Sequence, residues 1–199
     1  MANVNQPSGL SPVGHLLGID WSQKTQRYYI ASTDSNAFAI GDPVKLTATS
    51  DSNGVPGVTL ATAGTGNTIV GVIVGMGGPQ YGGVNADVNA LNVIVIPATK
   101  TRAYYVEVVV DPYVLFEIQD DGSATPTTSF PSQNFNLVAG TNNGYVSGWQ
   151  MQGSSGTTGS TLQLQVIQMA QKPNNTLAAN AKWIVLINNH QYRTGTTGV

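Results

Sequence analysis

Along most of this chain, short apolar runs are broken by clusters of Gly, Pro, Asn, Asp and Ser. That is the spacing of strands joined by turns, not of helices. "RYYIAS" (27–32) is rich in β-formers, and "AFAIGDPVKLTA" (37–48) holds two apolar pairs, Phe38/Ile40 and Val44/Leu46, hinged at Gly41-Asp42-Pro43. "NTIVGVIVGM" (67–76) and "LNVIVIPAT" (91–99) are apolar at consecutive positions, which predicts strands buried on both faces. "RAYYVEVVV" (102–110) stops at Asp111-Pro112, and "YVLFEIQ" (113–119) runs to the turn Asp120-Asp121-Gly122. Proline at 112 opposes one continuous central strand, so the chain is expected to bend there or pass between sheets. "TLQLQVIQMAQK" (161–172) alternates most clearly, with Leu162, Leu164 and Val166 on one face and Gln163 and Gln165 on the other. The apolar phase then slips to Ile167 and Met169, as a β-bulge allows.

Helical signals are weak: "NTLAANAKW" and "GGVNADVNALN" offer one turn each at best. The pattern predicts an all-β protein with three parts. Residues 1–25 would be an extended N-terminal arm, 26–111 a small β-barrel or β-tulip-like unit, and 112–199 a loop-rich, β-sandwich-like unit to which the C-terminal strand returns. The arm is polar and broken by Pro7 and Pro12 but carries Leu10, Val13, Leu16, Leu17, Ile19 and Trp21. A purely solvated tail has no use for such anchors. The arm is therefore expected to be mobile in the free protein and ordered on a neighbouring subunit, where burial offsets an ordering cost of roughly 1–2 kcal/mol per residue.

Composition narrows the function. Of the 199 residues only 9% are charged and 41% are hydrophobic, so the polar surface rests on Ser, Thr, Asn, Gln and Gly. A surface with so little charge suits a protein that sits against neighbours. The net charge is −2 and the eight basic residues are scattered, so no stripe would track a nucleic-acid backbone. Cysteine is absent, which removes disulfides and thiolate metal sites. No apolar run reaches the length of about 20 residues that spans a bilayer, and the start lacks the basic-then-apolar order of a secretory signal.

Candidate chemistry is sparse. His15 and His190 are the two histidines and lie far apart in sequence, with no metal-binding spacing around either. Glu107, Glu117, Asp111, Asp120 and Asp121 are the acids from which a glycosidase pair would be drawn. Asp111 precedes a proline and Asp120-Asp121-Gly122 is turn chemistry, while Glu107 and Glu117 are expected to pair with Lys100, Arg102 or Lys182. The Gly-rich stretches "GTGNT" (64–68) and "GMGGPQYGG" (75–83) lack phosphate-loop and dinucleotide patterns, and no Gly-x-Ser-x-Gly elbow occurs. No catalytic residue, cofactor or metal is expected.

The opening Asn5 to Val13 (Asn-x-Pro-x-Gly-Leu-x-Pro-Val), His15, "RYYI" (27–30), "GDPVKL" (41–46), "DPYVLFEIQDDG" (111–122) and "NAKWIVLINNHQYRTGTTGV" (180–199) occur in this order. Together they resemble the capsid cement, or head decoration, proteins of tailed bacteriophages. The resemblance covers both ends and the middle and is weaker over 47–100 and 123–160. It implies a non-enzymatic virion protein, made in the host cytoplasm. Such a protein lies on the outer surface of an icosahedral head and bridges major capsid proteins. Low charge agrees with this, since each desolvated, unpaired charge is costly. Leu16, Leu17, Trp21, Tyr28, Tyr29, His190, Tyr192 and Arg193 are the expected interface residues, with 194–199 a neutral tail able to lie on a neighbour. Sheets this poor in charge need covered edges, so self-association is expected, a homotrimer ahead of a homodimer. The alternative is a carbohydrate-binding β-sandwich of a phage tail or fibre, with Tyr81, Tyr145 and Trp149 as stacking platforms.

Overall fold

The computed structural model describes residues 3–22, 25–77 and 93–193. The strands are β1 (Ser11–His15), β2 (Thr25–Ile30), β3 (Phe38–Ala39), β4 (Pro43–Ser50), β5 (Pro56–Leu60), β6 (Gly71–Gly77), β7 (Val95–Ile96), β8 (Tyr104–Val109), β9 (Val114–Gln119), β10 (Asn134–Phe135), β11 (Leu137–Val138), β12 (Gln150–Met151), β13 (Leu164–Met169) and β14 (Lys182–Ile187). The one helical element among the described residues is a single 3-10 turn, Gly153–Ser155. The protein is all-β. "NTLAANAKW" forms no helix, and "GGVNADVNALN" lies outside the described residues.

Five strands close into a barrel in the order β2-β5-β4-β6-β8. Apolar runs with both faces covered supply its middle: Ile69, Val70, Val72 and Ile73 are all fully buried. Gly71 permits the closure, because a Cβ there would stand 2.1 Å from the Val109 carbonyl oxygen. The short pair β3-β7 packs Phe38 and Ile96 into the barrel core with Tyr28, Ile30, Val44 and Val106. "LNVIVIPAT" departs from expectation: its described part forms only the two-residue β7, and Ile94 is 49% exposed.

The chain leaves the barrel at Val109, turns through Asp111-Pro112, and re-enters a different sheet as β9. That sheet has the order β1-β9-β14-β13-β10, with the C-terminal strand β14 at its centre between β9 and β13. The register of β13 shifts between Val166 and Gln168, at the predicted phase slip. Its core holds Phe116, Phe130, Phe135, Trp149, Trp183 and Leu164, and it is continuous with Ala61, Ile69, Val72 and Val109 from the barrel.

The free arm is not what the structure shows for residues 3–15. β1 pairs antiparallel with β9, Leu10 is fully buried, and the Leu10 N–H donates to the Gly41 carbonyl. Ahead of it, the Gln6 N–H donates to Gln119 Oε1, and Asn3 exchanges hydrogen bonds with Thr176. The cause is long-range strand addition: the arm covers one edge of its own sheet, so its ordering cost is met within the chain. Gly9 sits at the tightest point, with φ +66° and room for no Cβ beside Gly41 and Ser147.

Two further segments join the units. After β14 the chain lies along the barrel, with the Ile69 N–H donating to the Asn189 carbonyl and the Gln191 N–H to the Ile69 carbonyl. Gln163, expected on the solvent face, is fully buried. Its Oε1 accepts from the Gly64 and Leu137 N–H groups while Nε2 donates to the Thr62 carbonyl. A buried amide is retained here because both its oxygen and its nitrogen are hydrogen-bonded, tying three segments together.

Candidate docking surface

The end of β1 gathers several exposed apolar residues. His15 is buried, and its Nδ1 accepts from the Leu17 N–H at 3.2 Å. That leaves Nε2–H to donate to Asp111 Oδ2, also at 3.2 Å. The Leu16 N–H donates to the Tyr113 carbonyl, and Gly18, at φ +72°, returns its N–H to the His15 carbonyl. One imidazole therefore fixes a tight turn against the crossover between the two units. The turn holds Leu16, Leu17 and Ile19 outward at 47%, 66% and 50% exposure. Val13 and Tyr113 stand beside them and are also exposed. Residues so apolar and so open on a braced turn mark a surface suited to a partner.

The other expected interface residues divide. Tyr192 and Arg193 are exposed, and Tyr29 is half-buried against Tyr105 with ring centroids 5.9 Å apart. Trp21 is half-buried and packs on the aromatic core of its own chain. Tyr28 and His190 are corrections: they are 0% and 1% exposed and present nothing to a neighbour. Tyr28 faces the barrel interior because its strand phase places it there, with its hydroxyl 2.8 Å from that of Tyr192. His190 accepts the Tyr192 N–H on Nδ1, while its buried Nε2 closes no hydrogen bond among the described residues. Burial, opposed by the charge of Asp111, pulls its pKa down to about 4. The two histidines thus converge on the Val110-Asp111 crossover from opposite ends of the chain. Residues 194–199 lie outside the described residues.

Tyr113 is the one member of this surface that the sequence reading leaves out. Val13 and Ile19 stood among the anchors of the arm, and Tyr113 follows Pro112 directly. An aromatic just past a chain-turning proline is the signal that would have found it.

The acids are structural in their geometry. Glu107 accepts from Arg27 Nε at 2.8 Å, and Glu117 takes Lys172 at 2.7 Å and Lys182 at 3.7 Å. Asp120 is fully buried, accepting from the Gly122 and Asn180 N–H groups and from Trp183 Nε1; burial raises its pKa. Asp42, 3% exposed, accepts the Ala39 N–H at 2.7 Å, and burial pushes its pKa up to about 6. Among the described residues no group of three or more His, Cys, Asp or Glu side chains is placed to hold a metal ion. Among those residues no helix is long and apolar enough to cross a membrane. Of the sugar-stacking platforms, Trp149 is 3% exposed inside the core and offers no face, Tyr145 is 67% exposed, and Tyr81 lies outside the described residues. Comparison with family models, with curated proteins and with solved structures finds no match.

Proposed function

We propose that this chain is a non-enzymatic decoration protein. It would bind the outer surface of an icosahedral phage head and cement neighbouring major capsid proteins. The observation that carries this reading is the strip of Val13, Leu16, Leu17, Ile19 and Tyr113, held open to solvent on a turn braced by His15. The resemblance of the termini to cement proteins and the scarcity of charge support it. The five-stranded sheet ends in β1 on one side and the two-residue β10 on the other, so self-association would cover its edges; a trimer is favoured over a dimer. Neither nucleic acid nor membrane is a partner in this reading.

The test uses heads of the encoding phage, stripped of decoration. Wild-type protein sediments with the heads at hundreds of copies each, and the double variant Leu16→Ser, Leu17→Ser stays in the supernatant while melting like the wild type. A copy number in the tens, or no sedimentation of the wild type, sinks the proposal.

A further inference from the structure

The outward face of β9 carries Leu115, Glu117 and Gln119, while Phe116 and Ile118 point into the core. Register sets Gly14 beside Leu115, Ile184 beside Glu117 and Lys182 beside Gln119. Gly14 leaves Leu115 uncovered, since a Cβ there would meet only the far end of that side chain, at 3.9 Å. The result is an open groove of about 370 Å³ with Val13, Leu115 and Ile184 as apolar lining and Glu117 and Lys172 at one end. Beyond that ion pair a smaller hollow of about 150 Å³ continues past Gln119 and Lys182 into amide side chains.

The charges here do not balance. Among the described residues Glu117, with a side chain only 10% exposed, is the one carboxylate lining either hollow, and it faces both Lys172 and Lys182. Lys172 keeps 54% and Lys182 33% of its side chain exposed. Two ammonium groups on one carboxylate leave a surplus positive charge at the point where the apolar lining ends.

We infer that this groove takes an extended segment of a partner protein bearing an apolar residue and, two positions on, an acidic one. In an extended chain residues i and i+2 share a face about 7 Å apart. That matches the step from Leu115 to Glu117 along β9. The apolar side chain seats on Val13, Leu115 and Ile184, and the carboxylate meets Lys172 and Lys182. Val13 also belongs to the exposed strip, so groove and strip form one surface. The inference rests on the decoration reading for the origin of the segment, a major capsid protein, but not for the chemistry of the groove.

Dye-labelled peptides with one Leu-Thr-Glu or one Leu-Thr-Lys in a Gly/Ser/Thr background test it by fluorescence anisotropy on the whole protein. The acidic peptide is expected to bind at least about tenfold more tightly, with the preference shrinking as salt rises. Lys172→Glu should abolish the preference. Gly14→Val should block binding of both peptides, at a site whose backbone and surroundings accept a side chain. Thermal melting checks that both variants fold, and the exposed Lys172→Ala gives the same charge test should Lys172→Glu fail to fold. Equal affinity for the two peptides, or wild-type affinity in a folded Gly14→Val protein, overturns the inference. Peptide binding reads the groove alone and head sedimentation reads the decoration role alone. A protein that binds the peptide but ignores heads keeps this inference and loses the other; the converse outcome does the reverse.

Discussion

The barrel and the five-stranded sheet solve the same problem in opposite ways. The barrel closes on itself, so its five strands leave no ladder edge for another chain. The sheet stays open, with β1 at one edge and β10 at the other. Their interiors differ too: Tyr28, Phe38, Tyr104 and aliphatic residues fill the barrel, whereas Trp149, Trp183, Phe116, Phe130 and Phe135 fill the sheet's core. The exposed strip and the groove both lie on the open sheet. Closure makes a rigid support, and the surface proposed for binding lies on the sheet that stays open. The two are nevertheless coupled, since Ile69, Val72 and Val109 of the barrel region belong to the sheet's core.

Removing residues 1–15 would break the comparison most severely, because the sheet would lose its edge strand and the barrel would not. Leu10 alone is worth about 2–5 kcal/mol on the scale of buried leucines cut to alanine, and β1 adds its ladder and the bonds of Asn3 and Gln6. The deletion should lower stability by at least about 5 kcal/mol, read by urea unfolding. Far-UV circular dichroism and tryptophan fluorescence should move together, because the cores are shared. A barrel that melts unchanged in the truncated chain would show that the coupling is not energetic.

Trp183→Ala comes next. Emptying this fully buried site costs about 3–5 kcal/mol, and it takes the Nε1–H donor from buried Asp120. Phe38→Ala, the barrel counterpart, falls in the same range. Both should shift one common transition in calorimetry; two separate transitions would mean two independent units.

The pH dependence sharpens the comparison at the junction itself. His190 has its folded pKa lowered from 6.5 to about 4. The unfolded chain therefore takes up a proton first, and stability is lost as pH falls from about 6.5 to 4, by roughly 3 kcal/mol. Asp42 has its folded pKa raised from 3.8 to about 6. Here the fold holds the proton longer, so stability rises by roughly 3 kcal/mol as pH falls through that window. The two contributions nearly cancel. Asp42→Asn should uncover the histidine, giving a protein that weakens on acidification from pH 6.5. His190→Gln should do the opposite. Denaturation midpoints at several pH values measure both, and parallel curves for the two variants would refute the assignment.

Much of this architecture was legible in the chain, for identifiable reasons. The alternation through Leu162, Leu164 and Val166 and its slip near Ile167 marked β13 and its bulge, and Asp111-Pro112 marked the passage between sheets. The arm was not legible. Its pairing with β9 lies about a hundred residues away, and neither Gly9 nor the bulge at Val13 leaves an alternating pattern. Tyr28 and Tyr29 are neighbours of the same type, and only barrel closure decides which one faces inward. Gln163 looked solvent-facing because its partners, at Thr62, Gly64 and Leu137, come from segments that local periodicity cannot see.

The smallest effect on stability is also the most specific test of the exposed strip. Leu16 and Leu17 project from a turn whose geometry depends on backbone groups and the His15 ring, not on their own side chains. Replacing both with serine should change unfolding free energy by no more than about 0.5 kcal/mol, as for exposed sites generally. If the strip is the centre of an interface, the same change should weaken attachment by 2 kcal/mol or more, about thirtyfold. Tyr192→Phe serves as the barrel-side control, being exposed yet tied to Tyr28. It should cost about 1 kcal/mol of stability through the lost hydroxyl bond and leave attachment untouched. A serine variant that attaches normally, or a Tyr192→Phe protein that does not, would move the docking surface from the open sheet to the barrel.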